Sequence, residues 1–285
     1  MKGKKLRELL KAPGIVRAPG AFDAWSARLV EMAGFPAVYM TGYGASASVL
    51  GKPDIGLMTM SEMARQAGNM ASAVDIPLIA DGDTGYGGVL NVMRTVREFE
   101  KAGVAALQLE DQVFPKRCGH MEGKQLISKE EMAGKIRAAV YARKSEDFII
   151  VARTDARAVT GLKDAIARAL AYAEAGADVL FVEAPQTVEE MEEITGVIKL
   201  PLIANMVEKG KTPFLPADEL ERIGYKIAIY PVSTLYAATR AMMESLRHLK
   251  EEGTTANCLD DLVGFEEFNN LVGVEKMHTL EKKFS

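Results

Sequence analysis

LKDAIARALAYAEAGADVLFVEA, residues 162–184, holds a whole structural unit in one stretch. Ile166, Leu170 and Ala173 recur at helical spacing, and Ala175-Gly176 supplies the usual stop for a helix. DVLFVEA (178–184) follows at once. Its apolar residues are nearly continuous rather than alternating, as in a parallel strand buried on both faces. A helix, a glycine stop and a buried strand together read as one β/α unit.

Working outward, the same unit recurs. Closures at Ala33-Gly34 and Ala102-Gly103 each precede another apolar run. The runs are GIVRAPG (14–20), PAVYMTG (36–42), PLIADGD (77–83), AALQLED (105–111), FIIVARTD (148–155), DVLFVEA, PLIANM (201–206) and KIAIYPVS (226–233). Eight buried strands with crossover helices in about 250 residues predict a single (β/α)8 TIM barrel. The rival, an open doubly wound sheet, lacks a G-x-G-x-x-G after its first strand. No Pro/Ser/Gly-rich linker interrupts the pattern, so residues 1–253 form one catalytic barrel domain. Residues 254–285, with the apolar-periodic CLDDLVGFEEFNNLVG, have no strand of their own. They form a C-terminal helical extension that packs on a neighbouring element or subunit.

The totals narrow the partner. The chain has 285 residues, 48% of them hydrophobic, and a net charge of -4 with both signs dispersed, so it offers no basic face for nucleic acid. Its two cysteines, 118 and 258, make neither a disulfide framework nor a CxxC pair, and suit a reducing compartment. The basic start MKGKKLRELLKAPG has too short an apolar run for a signal peptide, and no segment is long and apolar enough to span a bilayer. A soluble cytoplasmic protein acting on a small molecule is the expectation.

In a barrel the reacting groups sit at the C-terminal ends of strands and in the loops that follow. Those ends read Thr41-Gly42-Tyr43-Gly44, Asp81-Gly82-Asp83, Glu110-Asp111, Arg153-Thr154-Asp155, Glu183, Asn205 and Tyr230. Asp81 and Asp83, two apart, point the same way on an extended strand. They either share a hard cation, for which oxygen donors suit Mg2+, or form a solvated Asx turn. The further acids Glu110 and Glu183 favour the cation, because crowded carboxylates repel unless one sits among them. Arg153 either grips a substrate carboxylate in bidentate fashion or pairs with Asp155 or Glu183. Cys118, in the long connection from Asp111 to about Ser128, is flanked by Lys116, Arg117 and His120, cations that would lower a thiol pKa. A buried cysteine or half of a Cys-His zinc site are the other readings of that loop.

EDQVFPKRCGHMEGKQLISKEEM, with DGDTGYG before it and ARTDA and NMVEKGKTP after it, resembles the isocitrate lyase/PEP mutase superfamily, in the lyase branch that carries KRCGH. The resemblance runs from PGAFDAWSA to the last barrel helix. It implies a (β/α)8 barrel whose last helix is exchanged between subunits of a homotetramer, and a Mg2+ cofactor, with Mn2+ as a substitute. Asp81 and Asp83 would be the metal residues with Glu110 outside them, and Thr41, Gly42 and Tyr43 the substrate-carboxylate loop. Arg153, Glu183, Asn205, Gly119 and His120 would complete the substrate pocket. Cys118 would act as proton donor on a gated loop, and Tyr39 or Tyr43 would handle the substrate hydroxyl proton.

The implied reaction is retro-aldol cleavage of a small 2-hydroxy dicarboxylate, with 2,3-dimethylmalate giving pyruvate and propionate as the leading case. Methylisocitrate cleavage is an alternative, although Tyr236 stands where lyases of that tricarboxylate carry Arg. Mutase chemistry on carboxyphosphonoenolpyruvate, oxaloacetate cleavage, and an inactive barrel serving as a binding or assembly module are the others.

Overall fold

The computed structural model describes residues 2–119 and 121–285. Every one of the eight apolar runs contains a strand: β1 (Val16–Ala21), β2 (Val38–Met40), β3 (Leu78–Asp81), β4 (Ala106–Glu110), β5 (Ile149–Thr154), β6 (Val179–Val182), β7 (Ile203–Asn205) and β8 (Ile227–Tyr230). All neighbours pair in parallel, in the order β6-β5-β4-β3-β2-β1-β8-β7. A parallel bridge between Leu180 and Leu202 joins the two ends, with the Leu180 amide donating to the Pro201 carbonyl at 2.9 Å. The sheet is therefore a nearly closed (β/α)8 barrel.

The helices, in chain order, are α1 (Lys2–Lys11), α2 (Ala24–Met32), α3 (Gly42–Ala45), α4 (Met60–Ala73), α5 (Val89–Lys101), α6 (Lys129–Ala142), α7 (Leu162–Glu174), α8 (Val188–Val197), α9 (Ala217–Ile223), α10 (Ser233–Glu252), α11 (Phe265–Val272) and α12 (Val274–Phe284). Short polar side chains begin several of them. Thr59 and Glu62 form a capping box on α4, while Ser128 and Thr187 accept from the third amides of α6 and α8. On α7 the buried face runs through Ala165, Ile166, Ala169 and Tyr172, and Leu170 is exposed. The apolar stripe is thus rotated from the one the Ile166–Leu170–Ala173 spacing suggests, because the small alanines let the helix lie close to the sheet.

Alternation along each strand sorts the core into two shells. Leu78, Ala80, Leu107, Leu109, Ile150, Ala152, Leu180 and Val182 face outward into the layer under the helices. Ile79, Ala106, Ile149, Val151, Val179, Phe181, Ile203, Ile227 and Ile229 fill the barrel itself. Leu6 of α1 joins this inner cluster and is wholly buried, with Leu9 and Leu10 packed beside it. The basic start of the chain is an amphipathic helix that adds its apolar face to the barrel core.

The chain divides into two compact units, one ending at Leu235 and one spanning Tyr236–Ser285. Within the second, α11 and α12 bury no residue, and only Cys258 is buried in the segment between α10 and α11. No helix among the described residues is long and apolar enough to cross a membrane.

Candidate active site

The inward parity of the strands continues past the apolar filling. Ile79 is followed by Asp81, Ala106 by Gln108 and Glu110, Val151 by Arg153, Phe181 by Glu183, and Ile203 by Asn205. Each of these polar side chains is buried. One spacing rule therefore makes both the apolar filling and the charged ring above it. The guanidinium of Arg153 lies 5.2 Å from the centre of the Phe181 ring, where the two layers touch.

Arg153 is the hub of this ring. Its Nε donates to Asp155 Oδ2 at 2.9 Å and its Nη2 to Asp155 Oδ1 at 3.1 Å, while Glu183 Oε2 lies 3.2 Å from Nη2 and Glu110 Oε2 lies 3.5 Å from Nε. Burial favours a neutral guanidine, but Asp155, Glu183 and Glu110 outweigh it and hold Arg153 charged. Burial likewise opposes the charge on Asp155, yet Arg153 and Lys124 together draw its pKa down to about 2. The ion pair foreseen between Arg153 and Asp155 or Glu183 is present with both. Asn205 Nδ2 donates to both oxygens of Glu183, at 3.3 and 3.2 Å, and its Oδ1 is buried without a hydrogen-bond partner.

Asp81 and Asp83 are both buried, so a solvated turn is excluded. The strand ends at Asp81, and Asp83 has left-handed backbone with φ 48°, so the extended alternation that would align the two carboxylates stops between them. The Asp83 amide instead donates to Asp81 Oδ1 at 3.0 Å, an Asx turn folded inside the site. Gln108 Nε2 approaches the same oxygen at 3.4 Å and passes the contact on, since Tyr39 donates its hydroxyl to Gln108 Oε1 at 3.1 Å. Burial and the charge of Asp81 push the Tyr39 phenol well above its ordinary range, so it stays protonated as a donor. Burial pushes the Asp83 carboxyl up to about 6, against the pull of Lys116.

The loop carrying Thr41, Gly42 and Tyr43 meets Asp81 at close range. Thr41 caps α3, its Oγ1 accepting the Gly44 amide at 3.2 Å. A Cβ on Gly42 would stand 2.6 Å from Asp81 Oδ2, so only glycine lets this backbone approach the carboxylate. Tyr43 is half-buried beside it.

Over the ring lies the connection between β4 and α6, a lid held by its own side chains. Gln112 exchanges hydrogen bonds with the backbone of Arg117 at 2.8 and 3.0 Å and donates to Glu110 Oε1 at 3.0 Å. Lys116 is buried, its Nζ 2.6 Å from Asp54 Oδ2 and 2.9 Å from Asp83 Oδ1. Burial favours its neutral amine, but those two carboxylates prevail and raise its pKa well above the usual lysine range. Arg117 turns to the Glu122 carbonyl at 3.0 Å. Lys116 is therefore engaged with acids and Arg117 with the loop itself. Cys118 is half-buried, and a Cβ on the next residue, Gly119, would fall 2.4 Å from Arg153 Nη2 and 2.8 Å from Glu183 Cδ. The lid backbone rests directly on the Arg153–Glu183 pair. His120, the remaining substrate residue expected from the sequence, lies outside the described residues.

Asp54, Gln108, Gln112 and Lys124 were not singled out by sequence reasoning. Asp54 and Lys124 meet their partners across different βα loops and Gln108 meets Asp81 and Tyr39 across neighbouring strands, so no local spacing marks them, while Gln112 braces its own loop. Among the described residues no three His, Cys, Asp or Glu side chains converge into a metal cage. Asp81 and Asp83 nonetheless suit Mg2+, which takes one or two carboxylates and completes its octahedron with water and substrate oxygens. Asp83 Oδ1, buried and met by Lys116 Nζ at 2.9 Å, is a carboxylate oxygen of the required kind.

The family model described as phosphoenolpyruvate phosphomutase matches residues 6–250. The chain is 54% identical to 2,3-dimethylmalate lyase of Eubacterium barkeri, covering 99% of this chain and 97% of that protein. It is 48% identical to 2-methylisocitrate lyase of Aeropyrum pernix, over 99% of this chain and 89% of the relative. A crystal structure of 2,3-dimethylmalate lyase, described as a PEP mutase/isocitrate lyase superfamily member, superposes with a TM-score of 0.95 at 37% identity, covering 100% of this chain and 96% of that one. With the eight-stranded parallel barrel, the acidic ring and the cysteine lid on one chain, these likenesses agree: the protein belongs to the phosphoenolpyruvate phosphomutase family, within the isocitrate lyase/PEP mutase superfamily.

Proposed function

We propose that the protein is a Mg2+-dependent carbon–carbon lyase that cleaves a small 2-hydroxy dicarboxylate, with 2,3-dimethylmalate as the leading substrate. The observation that carries this reading is the seat of the lid, which brings the residue beside Cys118 onto the Arg153–Glu183 pair. The relative of that name, 54% identical over almost the whole chain, supports it.

Asp81 and Asp83 would hold the cation, with Glu110 behind them. Bound there, it supplies Lewis-acid polarisation of a 2-hydroxy carboxylate. The backbone at Thr41 and Gly42 and the Tyr43 side chain receive a substrate carboxylate, and Arg153 and Asn205 bind oxygens deeper in the pocket. Tyr43 is the better candidate to accept the hydroxyl proton, since Tyr39 is kept protonated by burial and already donates to Gln108. As that proton leaves, its electron pair forms the carbonyl of the α-keto acid. The C2–C3 pair stays with the departing fragment, which takes a proton at carbon from Cys118. No electrons are gained or lost overall. Gly119 and His120 would complete the pocket roof.

The same reading makes the protein a cytoplasmic homotetramer in which residues 254–285 serve as an extension exchanged between subunits. Exposed Met243, Leu246, Phe265 and Phe284, all within residues 243–284, support it, because covering so many large apolar side chains removes apolar surface from water. The test is a panel of 2,3-dimethylmalate, methylisocitrate, isocitrate, citramalate and oxaloacetate with Mg2+, ranked by kcat/KM. 2,3-Dimethylmalate should rank first. A tricarboxylate ranking first would move the assignment to methylisocitrate, and turnover of none would favour a binding module.

A further inference from the structure

Lys124, near the far end of the lid, is buried and has two engagements. Its Nζ donates to the Gly119 carbonyl, within the lid, and to Asp155 Oδ1 at 2.9 Å, on the barrel. Asp155 is wholly buried and is the carboxylate that holds both Nε and Nη2 of Arg153. Its own position is set from behind, because its amide donates to Asp111 Oδ1 at 3.0 Å. Asp111 in turn accepts from Thr154 Oγ1 at 2.7 Å, the Tyr172 hydroxyl at 2.8 Å and Arg168 Nη1 at 3.2 Å. That same Arg168 nitrogen donates to the carbonyl of Ile127, where the lid rejoins the barrel.

We propose that Lys124 is a positioning residue that latches the lid and, through Asp155, fixes Arg153 for substrate. Two physical consequences follow from its contacts. One ammonium ties the peptide of Gly119 to a carboxylate on the barrel, so the lid cannot lift without stripping a buried acid of a partner, a costly step. By sharing Asp155 Oδ1, Lys124 also keeps Arg153 Nη2 divided between Asp155 and Glu183 rather than drawn wholly to Asp155. With the lid away, Arg153 would face Asp54, Asp81, Asp83, Glu110, Asp155 and Glu183 without the two lysines. Closure brings in Lys116 and Lys124 together, so the site becomes attractive to a dianion as the lid shuts. The effect on turnover rests on the lyase reading above; the latch itself does not.

The test uses the full chain and reads lid opening separately from activity. Trypsin cleavage after Arg117 is followed by mass, in the ligand-free protein and with Mg2+ and oxalate, a small planar dianion. Lys124→Met and Lys124→Gln should speed that cut at least about tenfold in a protein that still folds, its thermal midpoint lowered by only a few degrees because Asp155 keeps Arg153 as a partner. On the best substrate, kcat should fall about 100-fold, with Lys124→Arg recovering much of both losses. Lys124→Met added to Asp155→Asn should cost nothing further, because the two act as one unit. An unchanged cleavage rate in both neutral variants would overturn the latch, as would full additivity with Asp155→Asn. Failure of both variants to fold would overturn it too, since a lid latch is dispensable to the barrel. A parent protein that cleaves no hydroxy diacid yet shows Lys124-dependent protection would remove the lyase reading and keep the latch.

Discussion

The filling of the barrel and the ring above it come from the same strands, at the same two-residue spacing, yet obey opposite rules. Ile149, Val151, Val179 and Phe181 gain by leaving water, at roughly 25 cal/mol per Å2, and need only fit. Two residues on, Arg153 and Glu183 are just as buried, and every charge there costs free energy unless a partner meets it. The filling can therefore be built from any well-packed apolar set, whereas the ring works only as a connected whole. Stability is made in the filling, and chemistry is held in the ring at a cost to it.

Three substitutions probe that division, in order of expected size. Cys118→Ser belongs to the lid over the ring and should cut kcat about 1,000-fold, the scale of a lost proton donor, with thermal midpoint unchanged. Steady-state kinetics beside differential scanning calorimetry would check it, and an active serine variant would remove Cys118 from the chemistry. Leu6→Ala belongs to the filling and should cost about 3 kcal/mol in urea unfolding while leaving kcat intact. A large loss of kcat there would blur the division.

Asp155→Asn tests the ring through pH. The Asp155 carboxyl, at about 2 in the folded protein against 3.8 ordinarily, stabilises the fold above pH 3.8 and loses that contribution as pH falls through 2. The stability gap between parent and variant should therefore narrow by about 2 kcal/mol between pH 5 and pH 2. A constant gap would mean that Asp155 is not held by Arg153 and Lys124 in solution.

How much of this could be read from the chain follows the same division. The filling was legible, because buried parallel strands write themselves as continuous apolar runs and Ala-Gly stops mark the helices between them. The ring was half legible. Asp81, Glu110, Arg153 and Glu183 stand at strand ends, where a barrel places its chemistry, but their pairing depends on which ends face each other. Lys116 with Asp54 and Lys124 with Asp155 join loops 62 and 31 residues apart, and no periodicity records such contacts. Lys116 stands close to Cys118 in sequence, and in space it is held between Asp54 and Asp83, a pairing that adjacency does not mark. The role of α1 was hidden for a related reason. Its three leucines, Leu6, Leu9 and Leu10, are too few to announce a core element until the barrel they pack against is formed.

The most direct test of the central claim is to run the cleavage of 2,3-dimethylmalate in D2O with Mg2+ and again with excess EDTA. The account predicts pyruvate and propionate in equal amounts, one deuterium at C2 of propionate in a single configuration, and loss of turnover in EDTA. Undiminished turnover in EDTA, or propionate deuterated equally in both configurations, would contradict a carboxylate-held cation working with a proton donor fixed on the lid.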